Sequence, residues 1–356
     1  MPAGVRLGGG VEHPVSPAES RRDFEKILED LASAADGLLA VGHRVVHGGE
    51  AFRETAEIDD KTLEAIRSLS PLAPIHNPVN VAGIEIARRV FPQARHFAVF
   101  DTAFHRTLPA RAFLYALPAA ARSLANVRRF GFHGISYSFV ARRAAAFLDR
   151  PAEELNFIVL HLGGGASAAA IRGGQSVDTS MGMTPLEGLV MGTRPGDLDP
   201  ALPLRLAREL ALTPDDVERA LEEESGLRGL AGSSDVREVL RRASEGDDDA
   251  RLAADLYVYR IKKYVGAYLA VLGRVDAIVF TGGVGENSAE IRARSLEGLE
   301  RLGIAVDAVK NAPGPGGERA VGVEGMEVSV LVIPTDEELQ IAVETAAGLE
   351  GKGGLR

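Results

Sequence analysis

The chain of 356 residues contains no cysteine, so neither disulfide bridges nor thiolate metal sites can hold it together. It also lacks any apolar run close to the roughly 20 residues that a membrane-spanning helix needs. Its first 20 residues do not show the basic and then apolar order of a secretory signal peptide. Together these absences lead us to expect a cytosolic protein with no membrane partner.

The chain also has fewer basic than acidic residues. The chain has 40 Lys and Arg against 50 Asp and Glu, which gives a formal net charge of −10. Because the phosphate backbone attracts basic protein faces, this balance argues against a general nucleic-acid binder. It leaves open a small anionic substrate, which a few local arginines can hold.

The composition, 46% hydrophobic and 25% charged, is that of a globular protein, and the length suggests two domains. Short apolar runs alternate with longer amphipathic stretches, which favours an α/β fold. The predicted strands are 38–46, 96–100, 156–162, 276–280 and 328–334. The predicted helices are 20–33, 60–69, 80–90, 135–147, 201–211, 250–272, 288–302 and 335–348, the last with Thr335 and Glu338 spaced as a capping box.

Two glycine-rich stretches follow predicted strands. Residues 157–174, "FIVLHLGGGASAAAIRGG", indicate a hairpin whose turn is either a simple tight turn or a nest of backbone N–H groups for an anion. In residues 276–299, a strand meets Gly282, Gly283 and Gly285 and then a helix. No Lys-Ser/Thr pair follows, so this is not a Walker A motif. It favours either a turn on which a flat or anionic ligand lies, or close packing of strand and helix.

Two arginines stand where packing does not explain them. Arg44 lies in a predicted apolar strand, and Arg194 lies in the Gly/Pro loop "EGLVMGTRPGDLDP". The planar guanidinium fork binds phosphoryl or carboxylate oxygens in pairs. For each, the alternative is an ordinary structural ion pair.

Three further polar residues are candidates. Asp101 ends the strand 96–100, where a carboxylate suits a site in an α/β fold, although it could instead cap the turn at Thr102 or Ala103. His133 and His76 could act on a ligand or be satisfied structural histidines. The scattered histidines show no HExxH-like spacing, so zinc is not expected.

Nine stretches, taken in order, resemble the acetate kinase family: "VGHRVVHGGE", "PLAPIHNPVN", "AVFDTAFH", "RRFGFHGISY", "HLGGGAS", "DTSMGMTPLEGLVMGTRPGD", "SGLRGLAGSSDVRE", "FTGGVGENS" and "IPTDEEL". The resemblance covers about residues 38 to 345. It implies an α/β fold of the two-domain acetate and sugar kinase/Hsp70/actin (ribonuclease H-like) type, with an ATP cleft between the domains. The implied domains are 1–104 plus 336–356, and 105–335 for nucleotide binding and dimerisation.

The resemblance implies the reaction ATP + acetate ⇌ ADP + acetyl phosphate, dependent on Mg²⁺ (or Mn²⁺), in a homodimer. A propionate or butyrate kinase is the alternative, because one methylene is worth only about 1–3 kcal/mol in such a pocket. A truncated, catalytically impaired nucleotide-binding paralogue is another.

By the same resemblance, Arg44 and Arg194 flank the transferred phosphoryl group, His133 bonds its oxygens, Asp101 is the acidic catalytic residue and Glu337 the magnesium carboxylate. We interpret Asp101 as orienting Arg44 or the Mg²⁺ water shell rather than as a base, because acetate is already ionised. The implied nucleotide contacts are His161, Leu162, Gly163, Gly164, Gly165, Asp235, Val236, Arg237, Gly283, Val284, Gly285, Glu286 and Asn287. The implied acetate contacts, besides Arg44, are Val46, Ile75, His76, Phe132 and Pro185.

The sequence departs from the family pattern at two places. The family's opening strands, with a polar turn of the type "NxGSSSxK", have no counterpart here, which suggests either a start assigned too far downstream or a truncated paralogue. In the hairpin, Gly164 stands where the family has Asn. We expect ATP binding to be weakened by the loss of that side-chain amide.

Overall fold

The computed structural model describes residues 23, 25–30, 37–314 and 316–351. These residues form two compact units. Unit 1 takes its residues from Met1–Phe104 and Asp336–Arg356, and unit 2 is His105–Thr335. Each unit contains one β-sheet with helices packed on it, so the predicted α/β class is confirmed.

The elements, in chain order, are as follows. The strands are β1 (Ala40–Val45), β2 (Ala56–Glu57), β3 (Arg95–Phe100), β4 (Asn156–Leu162), β5 (Ala166–Arg172), β6 (Gln175–Thr179), β7 (Ala277–Thr281), β8 (Arg319–Ala320) and β9 (Ser329–Val332). The helices are α1 (Asp60–Ser68), α2 (Asn77–Val90), α3 (Ala110–Phe113), α4 (Ala119–Arg122), α5 (Gly134–Phe147), α6 (Leu202–Glu209), α7 (Pro214–Glu223), α8 (Gly226–Ala231), α9 (Val236–Ser244), α10 (Asp248–Leu272), α11 (Gly282–Asn287), α12 (Ala289–Leu296) and α13 (Glu337–Leu349). Short 3₁₀ turns lie at Ser70–Leu72, Ala103–Thr107, Ala152–Glu154 and Glu300–Leu302.

Unit 1 is built on a three-stranded sheet in the order β1-β3-β2. β1 and β3 run parallel, with Arg44 beside Val99 and Val45 beside Phe100. The side chains of Val45 and Phe100 are buried with Ile66, Val81 and Ile84 of α1 and α2. Because parallel strands end at the same edge, residues that follow β1 and β3 come together there.

Unit 2 has a six-stranded sheet in the order β6-β5-β4-β7-β9-β8. β4, β5 and β6 pair antiparallel, whereas β4, β7 and β9 are parallel. Nearly all residues of β4, β5 and β7 are buried, as expected of strands covered on both faces. The long helix α10 packs on β5 and β4, and α5 packs on β4.

Most predicted elements are confirmed within a few residues. β4 has the predicted bounds, and α10 buries the predicted apolar face of Ala254, Val258, Ile261, Val265, Tyr268 and Leu272. The predicted helix 288–302 ends at Leu296, followed by a 3₁₀ turn. The predicted helix 20–33 falls partly outside the described residues; 25–30 are helical. None of the helices in the described ranges combines the length and the apolar character needed to cross a membrane.

The predicted capping box at Thr335 is wrong. Asp336 is the N-cap of α13, and its carboxylate accepts a 2.9 Å hydrogen bond from the Leu339 N–H. Thr335 instead donates its hydroxyl to Ser136 Oγ at 2.8 Å. Asp and Thr are both good N-caps. Only Thr335 has a Glu three residues later, whereas Asp336 has Leu339 at that place, so the capping-box pattern favoured the wrong residue.

Two histidines are buried in the neutral form. Burial, with the neighbouring His96, lowers the pKa of His43 to about 3, and burial lowers the pKa of His105 to about 4. Both have partners suited to a neutral ring: His43 Nε2 is 2.9 Å from His96 Nδ1, and His105 Nδ1 is 2.8 Å from Ser176 Oγ. The unfolded chain therefore binds protons below pH 6.5 that the folded chain does not.

Stability should consequently fall as the pH drops from about 6.5 to about 4. Each of the two histidines contributes a slope of up to about 1.4 kcal/mol per pH unit. Urea unfolding at several pH values measures this slope. The His43→Phe variant keeps a ring but cannot be protonated, so its slope should be shallower by about one proton. Equal slopes for the two proteins would contradict this account.

Candidate active site

Arg44 forms a charged cluster with two carboxylates at the edge of the unit 1 sheet. Its Nε lies 3.1 Å from Asp101 Oδ1 and its Nη2 lies 2.7 Å from Asp101 Oδ2, which is a bidentate pair. Its Nη1 lies 3.2 Å from Oε2 of Glu337, the first residue of α13. Both carboxylate oxygens of Asp101 therefore face the guanidinium of Arg44.

The cluster combines one guanidinium with two carboxyl groups. The charge of Asp101 is the main cause that raises the pKa of Arg44, so this guanidinium stays protonated. Burial raises the pKa of Glu337; Asp101 acts in the same direction and Arg44 against it. One cation thus faces two acids, and the Asp101 side chain is only 2% exposed.

A divalent cation fits this donor set. In the described parts of the chain, no three His, Asp or Glu side chains come together as a complete metal site. Mg²⁺, however, is usually bound through one or two carboxylates together with waters and phosphates. Glu337, with Asp101 beside the same guanidinium, supplies oxygen ligands of that kind and a charge that a cation would balance.

The predicted acetate contacts of unit 1 lie in two segments that are tied together. The Val46 N–H donates to Asn80 Oδ1 at 3.2 Å, and the Asn77 side chain bonds both the N–H and the C=O of His47. Val46 is nearly buried, whereas Ile75 is 48% exposed and His76 directly precedes α2. The structure therefore brings Val46 and the start of α2 close to one another.

In unit 2, the predicted glycine hairpin is confirmed as β4, a turn at 163–165, and β5. His161 pairs with Ser167 and Leu162 with Ala166, and the Gly163 N–H donates to the Gly165 carbonyl at 3.0 Å. None of the three glycines has a positive φ. A Cβ on Gly164 would meet nothing within 4 Å, and one on Gly165 would make only ordinary contacts. Neither backbone conformation nor lack of space therefore requires glycine at 164 or 165.

His133 and His161 form a stacked pair beside this turn. Their ring centroids are 4.2 Å apart with an interplanar angle of 18°. His133 has left-handed backbone angles (φ 56°, ψ 23°) at the N-cap of α5. A Cβ on Gly165 would lie 3.6 Å from His133 Nε2, and one on Gly163 would lie 3.7 Å from His161 Nε2. Both Nε2 atoms therefore point toward the turn.

Arg194 reaches the same turn from its loop. A Cβ on Gly165 would lie 3.8 Å from Arg194 Nη1, and the Gly192 N–H donates to the Gly164 carbonyl at 3.3 Å. Arg194 Nε forms a 2.5 Å ion pair with Glu222, and both side chains are largely buried. Arg194 therefore forms a structural ion pair and also lies beside the hairpin turn, because Glu222 holds its guanidinium there.

The other predicted nucleotide contacts lie at two helix starts. Asp235 caps α9 through the Arg237 N–H at 2.8 Å and pairs with the exposed Arg237 side chain, while Val236 is buried. Residues 283–287 belong to the short helix α11. Glu286 Oε1 accepts from the N–H groups of Gly282 and Thr335, and Asn287 donates to the Gly283 carbonyl. Phe132 and Pro185 are buried in unit 2.

Comparison with known proteins decides the family. The Acetokinase family model matches residues 17–343. The chain belongs to the acetokinase family.

Individual relatives agree with this assignment. An acetate kinase of Streptomyces avermitilis is 51% identical over 93% of this chain and 83% of the relative. The crystal structure of Porphyromonas gingivalis acetate kinase has a TM-score of 0.87 at 41% identity, covering 92% of this chain and 84% of that one. A propionate kinase from Francisella tularensis has a TM-score of 0.86 at 39% identity, covering 93% and 84%. The expected fold type, that of the acetate kinases, is thereby confirmed.

Several residues that position the acetokinase site were missed in the sequence. They are Ser136, Tyr137, Ser167, Glu222 and Thr335. Tyr137 lies four residues after His133 on one helix, and Ser167 lies opposite His161 once the hairpin register is fixed, so spacing could have found these two. Glu222 and Thr335 gave no local signal.

The glycine turns of this acetokinase should differ sharply in their tolerance of alanine. Gly282 has φ +76°, and a Cβ there would lie 2.7 Å from the Leu162 carbonyl oxygen. Gly282→Ala should lower the unfolding free energy by about 1–3 kcal/mol from backbone strain alone, and further through the clash. Gly164→Ala, the matched control, should change it by less than about 0.5 kcal/mol. Urea unfolding of both variants tests this, and equal losses would contradict it.

Proposed function

We propose that the chain is an acetate kinase, which transfers the γ-phosphoryl group of ATP reversibly to the carboxylate of acetate and yields ADP and acetyl phosphate. The observation that carries the proposal is the convergence of His133 Nε2 and Arg194 Nη1 on Gly165, at a hairpin turn where the fold has room for a Cβ on both Gly164 and Gly165. The membership of the acetokinase family and the identity to acetate kinases support the same reaction.

On unit 2, the hairpin turn holds the phosphates of ATP. Phosphoryl transfer needs positioning and charge neutralisation more than covalent help from the protein. Arg194, held by Glu222, binds the oxygens of the transferred group, and His133 donates to them as charge develops. We assign the adenosine side to Asp235–Arg237 and to Gly283–Asn287, and the phosphate turn to His161–Gly165.

On unit 1, Arg44 binds the acetate carboxylate, and Asp101 orients the guanidinium from the opposite side. Glu337, with Asp101 nearby, would hold Mg²⁺ or Mn²⁺. When bound, such an ion supplies charge neutralisation to phosphate oxygens. Acetate attacks phosphorus as the carboxylate that already exists at neutral pH, so no side chain has to take a proton from it.

Acetate is the preferred acceptor in this proposal, and propionate is the second candidate because a similar solved structure is a propionate kinase. A homodimer and a cytosolic location belong to the same proposal, both drawn from the family resemblance and the sequence composition.

The proposal is tested by incubating the purified protein with ATP, Mg²⁺ and acetate and trapping acetyl phosphate with hydroxylamine. We expect ADP and acetyl hydroxamate in equal amounts, with activity lost on chelation of the metal. Propionate should react with a kcat/KM lower by about 10- to 200-fold, corresponding to about 1–3 kcal/mol. Absence of acyl phosphate from either acid would contradict the proposal, and a higher kcat/KM for propionate would change the assigned acceptor.

The Asp101→Asn variant tests the role of the carboxylate that pairs with Arg44. It keeps the shape of the side chain but loses the charge, so one half of the bidentate pair becomes a repulsive contact between two donors. We expect kcat/KM for acetate to fall by about 10²- to 10³-fold, comparable to the loss of one site donor. Because Asp101 is not assigned as a base, both limbs of the pH–rate profile should stay in place.

A matched control exists on the same sheet. Glu57 and Arg95 also form a bidentate pair, at 2.8 and 2.6 Å, but both side chains are about half exposed. Such surface pairs contribute about 0–1 kcal/mol, so Glu57→Gln should leave kcat/KM unchanged. A shifted pH limb in Asp101→Asn would identify Asp101 as a proton acceptor and contradict the orienting role.

A further inference from the structure

We propose that each of the two stacked histidines is fixed as its Nε2–H tautomer by a hydroxyl relay of its own: Tyr137 and Ser167 for His133, and Thr335 and Ser136 for His161. The catalytic meaning of this inference rests on the proposed function, because the two N–H groups are donors only if an anion occupies the hairpin turn. Ser136, Ser167, Tyr137 and Thr335 are positioning residues in this account, since they act through the imidazoles.

The relay to His133 lies inside unit 2. Ser167 Oγ is 2.8 Å from His133 Nδ1 and 2.5 Å from the Tyr137 hydroxyl. Ser167 and Tyr137 are both fully buried. A serine hydroxyl has one proton and two lone pairs, so it can donate to only one of these two neighbours and can accept from the other.

The direction follows from the acidity of the two hydroxyls. A phenol is a stronger acid than an aliphatic alcohol and hence the better donor, so Tyr137 donates to Ser167. Burial raises the pKa of Tyr137, and its hydrogen bonds with Ser167 and the His161 backbone N–H act to lower it. In the proposed relay, Ser167 accepts from Tyr137 and donates its own proton to His133 Nδ1. The ring proton of neutral His133 is then on Nε2.

The relay to His161 has the same order. The Thr335 hydroxyl donates to Ser136 Oγ at 2.8 Å, and Ser136 Oγ lies 2.9 Å from His161 Nδ1. Having accepted from Thr335, Ser136 donates to Nδ1 and leaves the proton of His161 on Nε2. Thr335 is itself fixed by its N–H, which donates to Glu286 Oε1 at 3.2 Å.

The consequence is a pair of parallel N–H donors. Both Nε2 atoms point toward Gly163 and Gly165. In the opposite tautomer, each ring would present a lone pair to the same turn, and that lone pair would repel a bound anion. The two relays thus make each stacked imidazole present an N–H donor to the turn. Neither ring needs a positive charge to bind an anion there.

The tautomers can be read directly from long-range ¹H–¹⁵N correlation spectra of the ¹⁵N-labelled full chain at pH 8. The two rings are assigned from the signals lost in His133→Asn and His161→Asn. We expect both wild-type rings to show a protonated Nε2 and an unprotonated Nδ1. A protonated Nδ1 on either neutral ring of the wild type would overturn the proposal.

The two serines provide matched controls for each other. Ser167→Ala should convert His133 to a mixture of tautomers and leave His161 unchanged, and Ser136→Ala should do the reverse. Tyr137→Phe leaves the Ser167 hydroxyl free to turn, so it should weaken the preference of His133 alone. Ser167→Thr restores a hydroxyl and should restore the tautomer. Wild-type spectra from folded Ser167→Ala and Ser136→Ala would refute the relays.

Measurements of kcat and KM then distinguish a failure of the relay inference from a failure of the proposed function. In Ser167→Ala we expect kcat to fall by about tenfold or more with little change in the KM for acetate, since loss of a whole site donor costs about 10²–10³-fold. The spectra report on the relays even if the wild type forms no acyl phosphate, in which case only the proposed function fails. A tautomer mixture at full kcat would refute the positioning role.

Discussion

The antiparallel pairing of His161 with Ser167 is the constraint on which the unit 2 site depends. Paired residues in a hairpin project from the same face of the sheet, so this register places a ring and a hydroxyl side by side beneath α5. A slip of one residue would send one of them to the opposite face. With the register fixed, the N-cap and first turn of α5 add His133 and Tyr137, and the loop around Gly192 is anchored to the hairpin backbone. The strand pairing thus places Ser167 within hydrogen-bond distance of both His133 and Tyr137.

In unit 1 the corresponding constraint is electrostatic. A guanidinium on a partly buried strand is costly unless it is paired, and Arg44 is paired by Asp101 with two hydrogen bonds. Glu337 adds a second carboxyl to the same guanidinium, and burial raises its pKa. Either a proton on Glu337 or a bound cation would balance the charges of the cluster.

The sequence was sufficient to predict the elements that depend on the pattern of neighbouring residues. Alternation and apolar runs predicted β4 to the residue, and the glycines after Leu162 predicted the hairpin, because both are encoded in neighbouring residues. The ion pair of Arg194 with Glu222 could not be predicted, since 28 residues separate them and the contact depends on how the loop folds against α8. The N-cap of α13 was misplaced by one residue for a similar reason. The Thr335 hydroxyl does not cap the helix, because it donates to Ser136, a partner 199 residues away.

The conformation of the hairpin turn has a consequence for how the protein can change. Gly164 and Gly165 have neither a left-handed backbone nor a neighbour that a methyl group would strike. A Cβ at Gly164 would meet no other atom within 4 Å, so the fold leaves room for a substituent there. If the turn holds phosphate as proposed, a change at residue 164 would alter ligand recognition at little cost to folding.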